Sequence, residues 1–465
     1  MPALVSYAVA ASLAVAVAGQ QLGNAQEYHI PMPVQSCRKY GGCHVEQAEV
    51  VMDMQWRWMH NKDGYRNCLP GEFWDTAFCP DPATCSRNCA MEGVDQNAYT
   101  QNYGAHQLQN GIKLDWPKGP RVYMLDGPDK YKMFRLLNKE FTFDVDLSTL
   151  PCGLNAALYF VEMDEFGDRS GSNPGGAKYG TGYCDAQCPH MRFIRGEANL
   201  IGWEKLLQRE NPDGQIIAGG HEGKYGYCCA ELDVLEANRD AGVFTSHPCN
   251  REKQTICEGK DQCGDKGEGK LGICDKDGCG FSDYRMGSPQ FWGAGPNFAV
   301  DTSKPMTVVT QFLTHDGTDH GDLVEVRRFY VQNNQVVQNS QTTLLPNGGD
   351  SLTDAMCNEQ SHVFKQKTNG HRDLGGLKAM GEAMRRGMVL SMSIWDSDFD
   401  RMLWLDGEKS RFDDDMSQPG IKRGPCPFHY GDREDNLRHA EQHGPMSVTF
   451  TNIRYGDLGS TIPLV

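Results

Sequence analysis

The sequence predicts an all-β protein: one large antiparallel β-sandwich whose strands are joined by long loops. Three observations predict it. Several runs alternate apolar and polar residues with a period of two, the pattern of a strand with one covered face. Glycine is frequent, at 52 of 465 residues, against a typical ~7%, and it gathers with Asp, Asn and Pro between those runs. Only one stretch has clear helical spacing.

The elements follow in chain order. Phe141, Phe143, Val145 and Leu147 alternate with Thr142, Asp144 and Asp146, so this run reads as a half-buried strand. Met306 to Leu313 reads as another. Arg327 to Val337 reads as a hairpin turning at Asn333-Asn334, because Asn tolerates the left-handed backbone of a two-residue turn. Leu377 to Arg386 is the helix. Leu377, Met380 and Met384 share one face and Gly387 stops it, so the methionine stripe is core packing. Met388 to Trp395 is the next strand, and near the end Met446, Val448 and Phe450 alternate with Ser447, Thr449 and Thr451. Loops rich in Gly, Asp, Asn and Pro fill Gly167 to Gly182 and Glu258 to Gly280. No internal repeat and no Pro/Ser/Thr-rich linker divides the chain, so residues 26–465 read as a single domain.

Charge and cysteine narrow the function classes. With 45 Lys+Arg against 61 Asp+Glu the net charge is −16, which argues against a nucleic-acid partner, since that needs a basic face. Ala3 to Ala18 is apolar or small and too short to span a bilayer. It suits a secretory signal over residues 1–18, cleaved after the small residues Ala16 and Ala18, or as late as Ala25. No later segment is apolar enough to span, so no membrane partner is expected. All 18 cysteines follow that leader, and an even count in a secreted chain implies disulfides rather than a metal site. Cys228 and Cys229 are neighbours, so each should reach a separate partner.

The chemistry concentrates in Tyr227-Cys-Cys-Ala-Glu231-Leu-Asp233-Val-Leu-Glu236-Ala-Asn238. On a strand Glu231 and Asp233 share a face, whereas Glu236, five residues from Glu231, would point the other way. A bulge or bend is needed to bring it back. If the three converge, mutual repulsion raises at least one pKa. One ionised and one protonated carboxyl is what glycoside hydrolysis requires.

Here the sequence resembles glycoside hydrolase family 7, the secreted cellulases of fungi and some other eukaryotes. The resemblance rests on Cys228-Cys229 followed by Glu231 to Asn238, and on Trp56-Arg57-Trp58, Leu150 to Phe160 and Gly180 to Cys188. It continues through His247-Pro-Cys249, Ile394-Trp-Asp396 and Met402 to Asp406. It implies a concanavalin-like jelly roll with loops over a substrate cleft. It implies that Glu231 is the nucleophile, Glu236 the general acid/base, Asp233 a modulator hydrogen-bonded to the nucleophile, and His247 a residue beside the scissile bond. Trp56, Trp58, Trp395 and Trp404 are implied as stacking faces for glucosyl units, and Tyr159, Tyr183, Asp185 and Gln187 as polar lining. Alternation would set Trp56 and Trp58 on one strand face. Arg285, Arg423 and, more loosely, Lys270 are implied on the leaving-product side.

The resemblance also implies nine disulfides: Cys37–Cys43, Cys68–Cys89, Cys79–Cys85, Cys152–Cys426, Cys184–Cys229, Cys188–Cys228, Cys249–Cys274, Cys257–Cys263 and Cys279–Cys357. No cofactor and no metal are expected. The expected partner is cellulose or another β-1,4-glucan chain, held by a secreted monomer without a separate carbohydrate-binding module.

Loops separate cellobiohydrolases, whose cleft is roofed into a tunnel, from endoglucanases, whose cleft is open. The Cys249 to Cys279 segment keeps the long form, and the loop between Trp395 and Trp404 is of full length. Tyr103 to Arg121 is shortened, His315 to Val326 reads as an insertion, and Leu235 stands where cellobiohydrolases usually have Trp. The balance favours a processive cellobiohydrolase over an endo-β-1,4-glucanase. A non-catalytic, lectin-like glucan binder is a third reading, disfavoured because Glu231, Asp233 and Glu236 are all present.

Overall fold

The computed structural model describes residues 19–71, 73–203, 206–266 and 271–462. The expected leader at 1–18 and Lys270 lie outside these described residues. Among the described residues two large sheets hold nine and ten strands. The first runs Val122–Leu125, Met388–Asp396, Leu154–Val161, Glu231–Ala237, Gly242–His247, Cys279–Phe281 across its middle and one edge, every neighbour antiparallel. The second runs Gln335–Gln338, Leu323–Gln332, Met306–Thr314, Lys139–Asp146, Ser447–Asp457 and Val34–Arg38. Its one parallel step joins Val34–Arg38 to Ser447–Asp457.

The core lies between the sheets and is built by the alternation that the sequence shows. Phe141, Phe143 and Val145 interlock with Phe160, Leu158, Val308, Met392 and Phe450, all buried. Phe141 and Phe160 meet edge to face with ring centroids 5.0 Å apart, the arrangement aromatic quadrupoles favour. The opposite face of this strand is not open throughout. Glu140 and Thr142 are also buried, because Glu140 accepts hydrogen bonds from Gly459 N and Thr461 N, both 2.7 Å, and so holds the chain end over the sheet.

The hairpin and the helix form where expected. Leu323–Gln332 pairs with Gln335–Gln338 around Asn333 and Asn334, whose φ values of 52° and 61° are those of the turn. The helix is Gly376–Arg386, with Leu377, Met380 and Met384 buried and Gly387 closing it at φ 111°. Of the further helices among the described residues, the two of ten or more residues, Asp354–Val363 and Arg433–His443, were not legible from periodicity. Their starts are fixed instead by side-chain caps, Thr353 on Met356 N and Asp432 on Asp435 N. The insertion forms a turn at 315–322 beyond the second sheet, tied to the helix by Asp322–Lys378 at 3.1 Å. It contributes nothing to the cavity lining.

All nine disulfides implied by the resemblance are present. Cys184–Cys229 and Cys188–Cys228 clamp one loop to the start of the strand Glu231–Ala237, which decides the geometry described next.

Candidate active site

The strand Glu231–Ala237 carries the bulge that its acids demand. Against Leu154–Val161, Tyr159 faces Asp233 and the next residue, Leu158, faces Leu235, so Val234 is extra. Against Gly242–His247 the register slips in the same interval. Val234 and Leu235 both turn into the core, each 1% exposed. Glu231, Asp233 and Glu236 therefore share one face and line one cavity of about 1200 Å³. Leu235 is a core residue and does not line this cavity.

Each acid has its own partner. Glu231 Oε2 accepts from Ala186 N at 3.0 Å. Ala186 sits between Cys184 and Cys188, so the two disulfides aim that N–H. Glu236 Oε1 accepts from Asn155 Nδ2 at 2.9 Å, while Asn155 Oδ1 accepts from Ala237 N at 3.1 Å. Asp233 pairs with His247 Nε2 at 3.0 Å, and the other ring nitrogen, Nδ1, lies 2.8 Å from the Asp275 carbonyl oxygen. The hydrogen bond expected between Asp233 and Glu231 does not form among the described residues. His247, facing Glu231 across the sheet, takes the Asp233 carboxylate, and Asp233 reaches Glu231 through charge alone.

Burial sets the protonation states. Glu231 is pushed well above the ordinary carboxyl range, first by desolvation and then by the charges of Asp233 and Asp185. Glu236 is pushed to about 8 by desolvation and by Asp233. Burial opposes the His247 charge, but the bond to Asp233 and the attraction of Asp233 and Glu231 outweigh it and hold the imidazole well above its usual value. Such coupled groups titrate as a set. The set places two carboxyls of raised pKa, Glu231 and Glu236, on one face beside the Asp233–His247 pair.

The remaining expected residues divide clearly. Trp56, Tyr159, Tyr183, Asp185 and Gln187 line the cavity, as do Trp395, Trp404, Arg285 and Arg423. Trp395 and Trp404 stack with centroids 6.3 Å apart and planes 27° apart. Tyr159 and Tyr183 share a hydroxyl contact of 2.9 Å, and Tyr183 donates to Asp185. Burial and mutual repulsion lower the Arg285 pKa well below its usual range, and burial brings Arg423 to about 10.

Trp58 does not line the cavity. Trp56 ends a short 3-10 turn, Met54–Trp56, started by Asp53 accepting from Gln55 N, so the two tryptophans do not share a strand face. Trp58 lies 39% exposed outside, stacked on Tyr65 at 5.8 Å.

Two contributors were missed. Asn155 holds Glu236, and its signal was available: it is the polar residue on the Asn155-Ala157-Tyr159 face of an otherwise apolar strand. Arg121 lies 3.3 Å over the Tyr183 ring and pairs with buried Asp53 at 2.6 Å. No local pattern marks it, because its partners come from distant segments.

Comparison with known proteins now decides the family. The model of glycosyl hydrolase family 7 matches residues 22–462. The chain belongs to that family. This glycoside hydrolase is 44% identical to a GH7 family cellobiohydrolase from Daphnia pulex, with a TM-score of 0.88, over 95% of this chain and 100% of that one. The Humicola insolens endocellulase EGI is 35% identical over 95% and 100%, with a TM-score of 0.79. The Melanocarpus albomyces cellobiohydrolase solved with cellotetraose is 35% identical over 96% and 100%, with a TM-score of 0.82. The all-β sandwich and the enzyme class expected from the sequence both stand, and the lectin-like alternative is set aside.

Proposed function

We propose that this enzyme is a secreted, monomeric, retaining cellulase that draws a β-1,4-glucan chain through a roofed cleft and releases cellobiose processively. Glu231 as carboxylate attacks the anomeric carbon while the protonated Glu236 gives its proton to the departing glucosidic oxygen. The resulting glycosyl ester on Glu231 is opened by water, whose proton returns to Glu236. Asp233 and His247 set the charge around Glu231. Trp56, Trp395 and Trp404 offer apolar faces to pyranose rings, while Arg285 and Arg423 bond the hydroxyls of the leaving disaccharide. Nine disulfides support an oxidising, extracellular setting, and no described helix is long and apolar enough to cross a membrane.

One observation carries the processive reading. The hairpin of Leu206–Glu210 and Ile216–His221 precedes the catalytic strand, and 401–412 follows the strand that bears Trp395. The two segments meet: Phe412 N donates to Pro212 O at 3.0 Å, Arg401 pairs with Asp213 at 3.2 Å, and Arg411 pairs with Glu210. Arg411 also lines the cavity, which supports a reading in which these contacts roof the substrate. The test is the product profile on amorphous cellulose. Mostly cellobiose with few new insoluble reducing ends is expected. Mixed oligomers with many insoluble ends would mean an endoglucanase.

A further inference from the structure

The bulge that unites the acids leaves an obligation in the core. Val234 has no register partner on either neighbouring strand, and a buried carbonyl outside the ladder needs another donor. That donor is Arg328, which crosses the sandwich from Leu323–Gln332 in the opposite sheet and gives Nη2–H to Val234 O. Its Nε donates to Thr310 Oγ1 at 3.0 Å, and its guanidinium lies 4.3 Å over the Phe244 ring. Arg328 is 1% exposed, and a charged side chain is almost never so buried unless something holds it. Thr310 and Phe244 aim the fork from two sides, and the bulge carbonyl is its target.

We propose that Arg328 is a positioning residue for hydrolysis: by holding the Val234 carbonyl it fixes the bulge and keeps Glu236 on the same face as Glu231. Without the bulge, Glu236 returns to the core face, since a one-residue slip turns every later side chain over. The idea rests on the reading above, in which Glu236 protonates the leaving oxygen. A planar guanidinium can bond Val234 O and Thr310 Oγ1 together, whereas a single ammonium nitrogen on a flexible stem that stops short of the Nη position cannot reproduce that fork.

The test compares kcat/KM for two β-cellobiosides, with Arg328→Met, Arg328→Lys and, as control, Glu236→Gln. A 2,4-dinitrophenyl group leaves without a proton; a phenyl group needs one. Arg328→Met should lower kcat/KM for the phenyl substrate about 100-fold, the lower end of what general acid catalysis supplies, and change the dinitrophenyl value by less than about threefold. Arg328→Lys should show the same split at about tenfold, and it decides the matter should the Met variant not fold. An equal loss on both substrates means that Arg328 only supports folding, and no loss on either means that the bulge stands alone; both overturn the proposal. Should Glu236→Gln show no split, the assignment of Glu236 falls, and this proposal with it.

Discussion

The floor of the cleft and the segments proposed to roof it are built from opposite materials. In the floor, Glu231, Asp233 and His247 are less than a tenth exposed, two disulfides pin the adjoining loop, and every acid has a fixed partner. In the roof, Arg411 and Glu210 are 41% and 45% exposed, and the contact depends on ion pairs and one backbone hydrogen bond. The floor must hold reacting atoms to fractions of an ångström, so it is dry and covalently braced. The roof has only to meet and part, so an exposed pair, Arg411–Glu210, and a half-buried one, Arg401–Asp213, suffice. On the function proposed above, chemistry rests on burial and processivity on surface electrostatics.

The comparison breaks hardest at Glu231. Glu231→Gln keeps the shape of the floor and removes the nucleophile, so hydrolysis should fall to background while cellobiose binding, measured by calorimetry, persists. Retained hydrolysis would displace Glu231 from the role proposed for it. A gentler blow to the same region is the double change Cys184→Ser, Cys229→Ser. Losing that bridge should cost about 2–5 kcal/mol of stability in denaturant titration. It should also lower kcat ~10-fold, about the worth of the Ala186 N–H on a charged Glu231.

pH acts twice, on Glu236 in the floor and on two buried acids outside the cavity lining, Asp406 bonded to Gly153 N and Asn238 and Asp283 bonded to Ser340. Glu236, Asp406 and Asp283 are raised by burial to about 8, about 7 and about 6. An acid raised on folding binds its proton more tightly in the native state. Its stabilising effect is complete below the unfolded value and is lost as pH climbs through the folded one. Stability should therefore decline from about pH 4.5 to pH 8, seen as a melting temperature several degrees lower at the alkaline end. Activity should have its own alkaline limb near 8, where Glu236 loses its proton, and Glu236→Gln should erase that limb.

The floor was also the more legible part in sequence. Period-two runs gave the strands at Phe141 and Met446 because their inner faces meet a continuous core, and three acids in six residues announced their own site. The resemblance, not spacing, supplied the disulfide pairs. What stayed hidden depends on distant partners. Nothing local marks Arg328 until the opposite sheet brings Val234 to it, or Arg121 until Tyr183 folds beneath it. The covered Glu140 face was missed because its lid, residues 459–461, lies more than 300 positions away. The shared strand face expected for Trp56 and Trp58 does not form because a capped 3-10 turn, and not a strand, carries Trp56.

The smallest expected effect is on the roof, and there salt separates the two regions. Exposed ion pairs are worth about 0.2–1 kcal/mol each, and the screening length shortens from about 8 Å at physiological ionic strength to about 3 Å at 1 M. Raising salt, or the double change Glu210→Ala, Asp213→Ala, should let the roof part more often. The share of insoluble reducing ends from amorphous cellulose should then rise about two- to fivefold, since 1 kcal/mol is a factor of about five in an opening equilibrium. kcat on a soluble aryl cellobioside should stay within about twofold, because the floor's pairs are buried and screened far less. If soluble-substrate turnover falls in step with processivity, the two regions are not independent and the roof must be assigned a part in placing the acids. If salt changes the product profile of the double variant as strongly as that of the parent, the screened pairs lie elsewhere on the cleft rim.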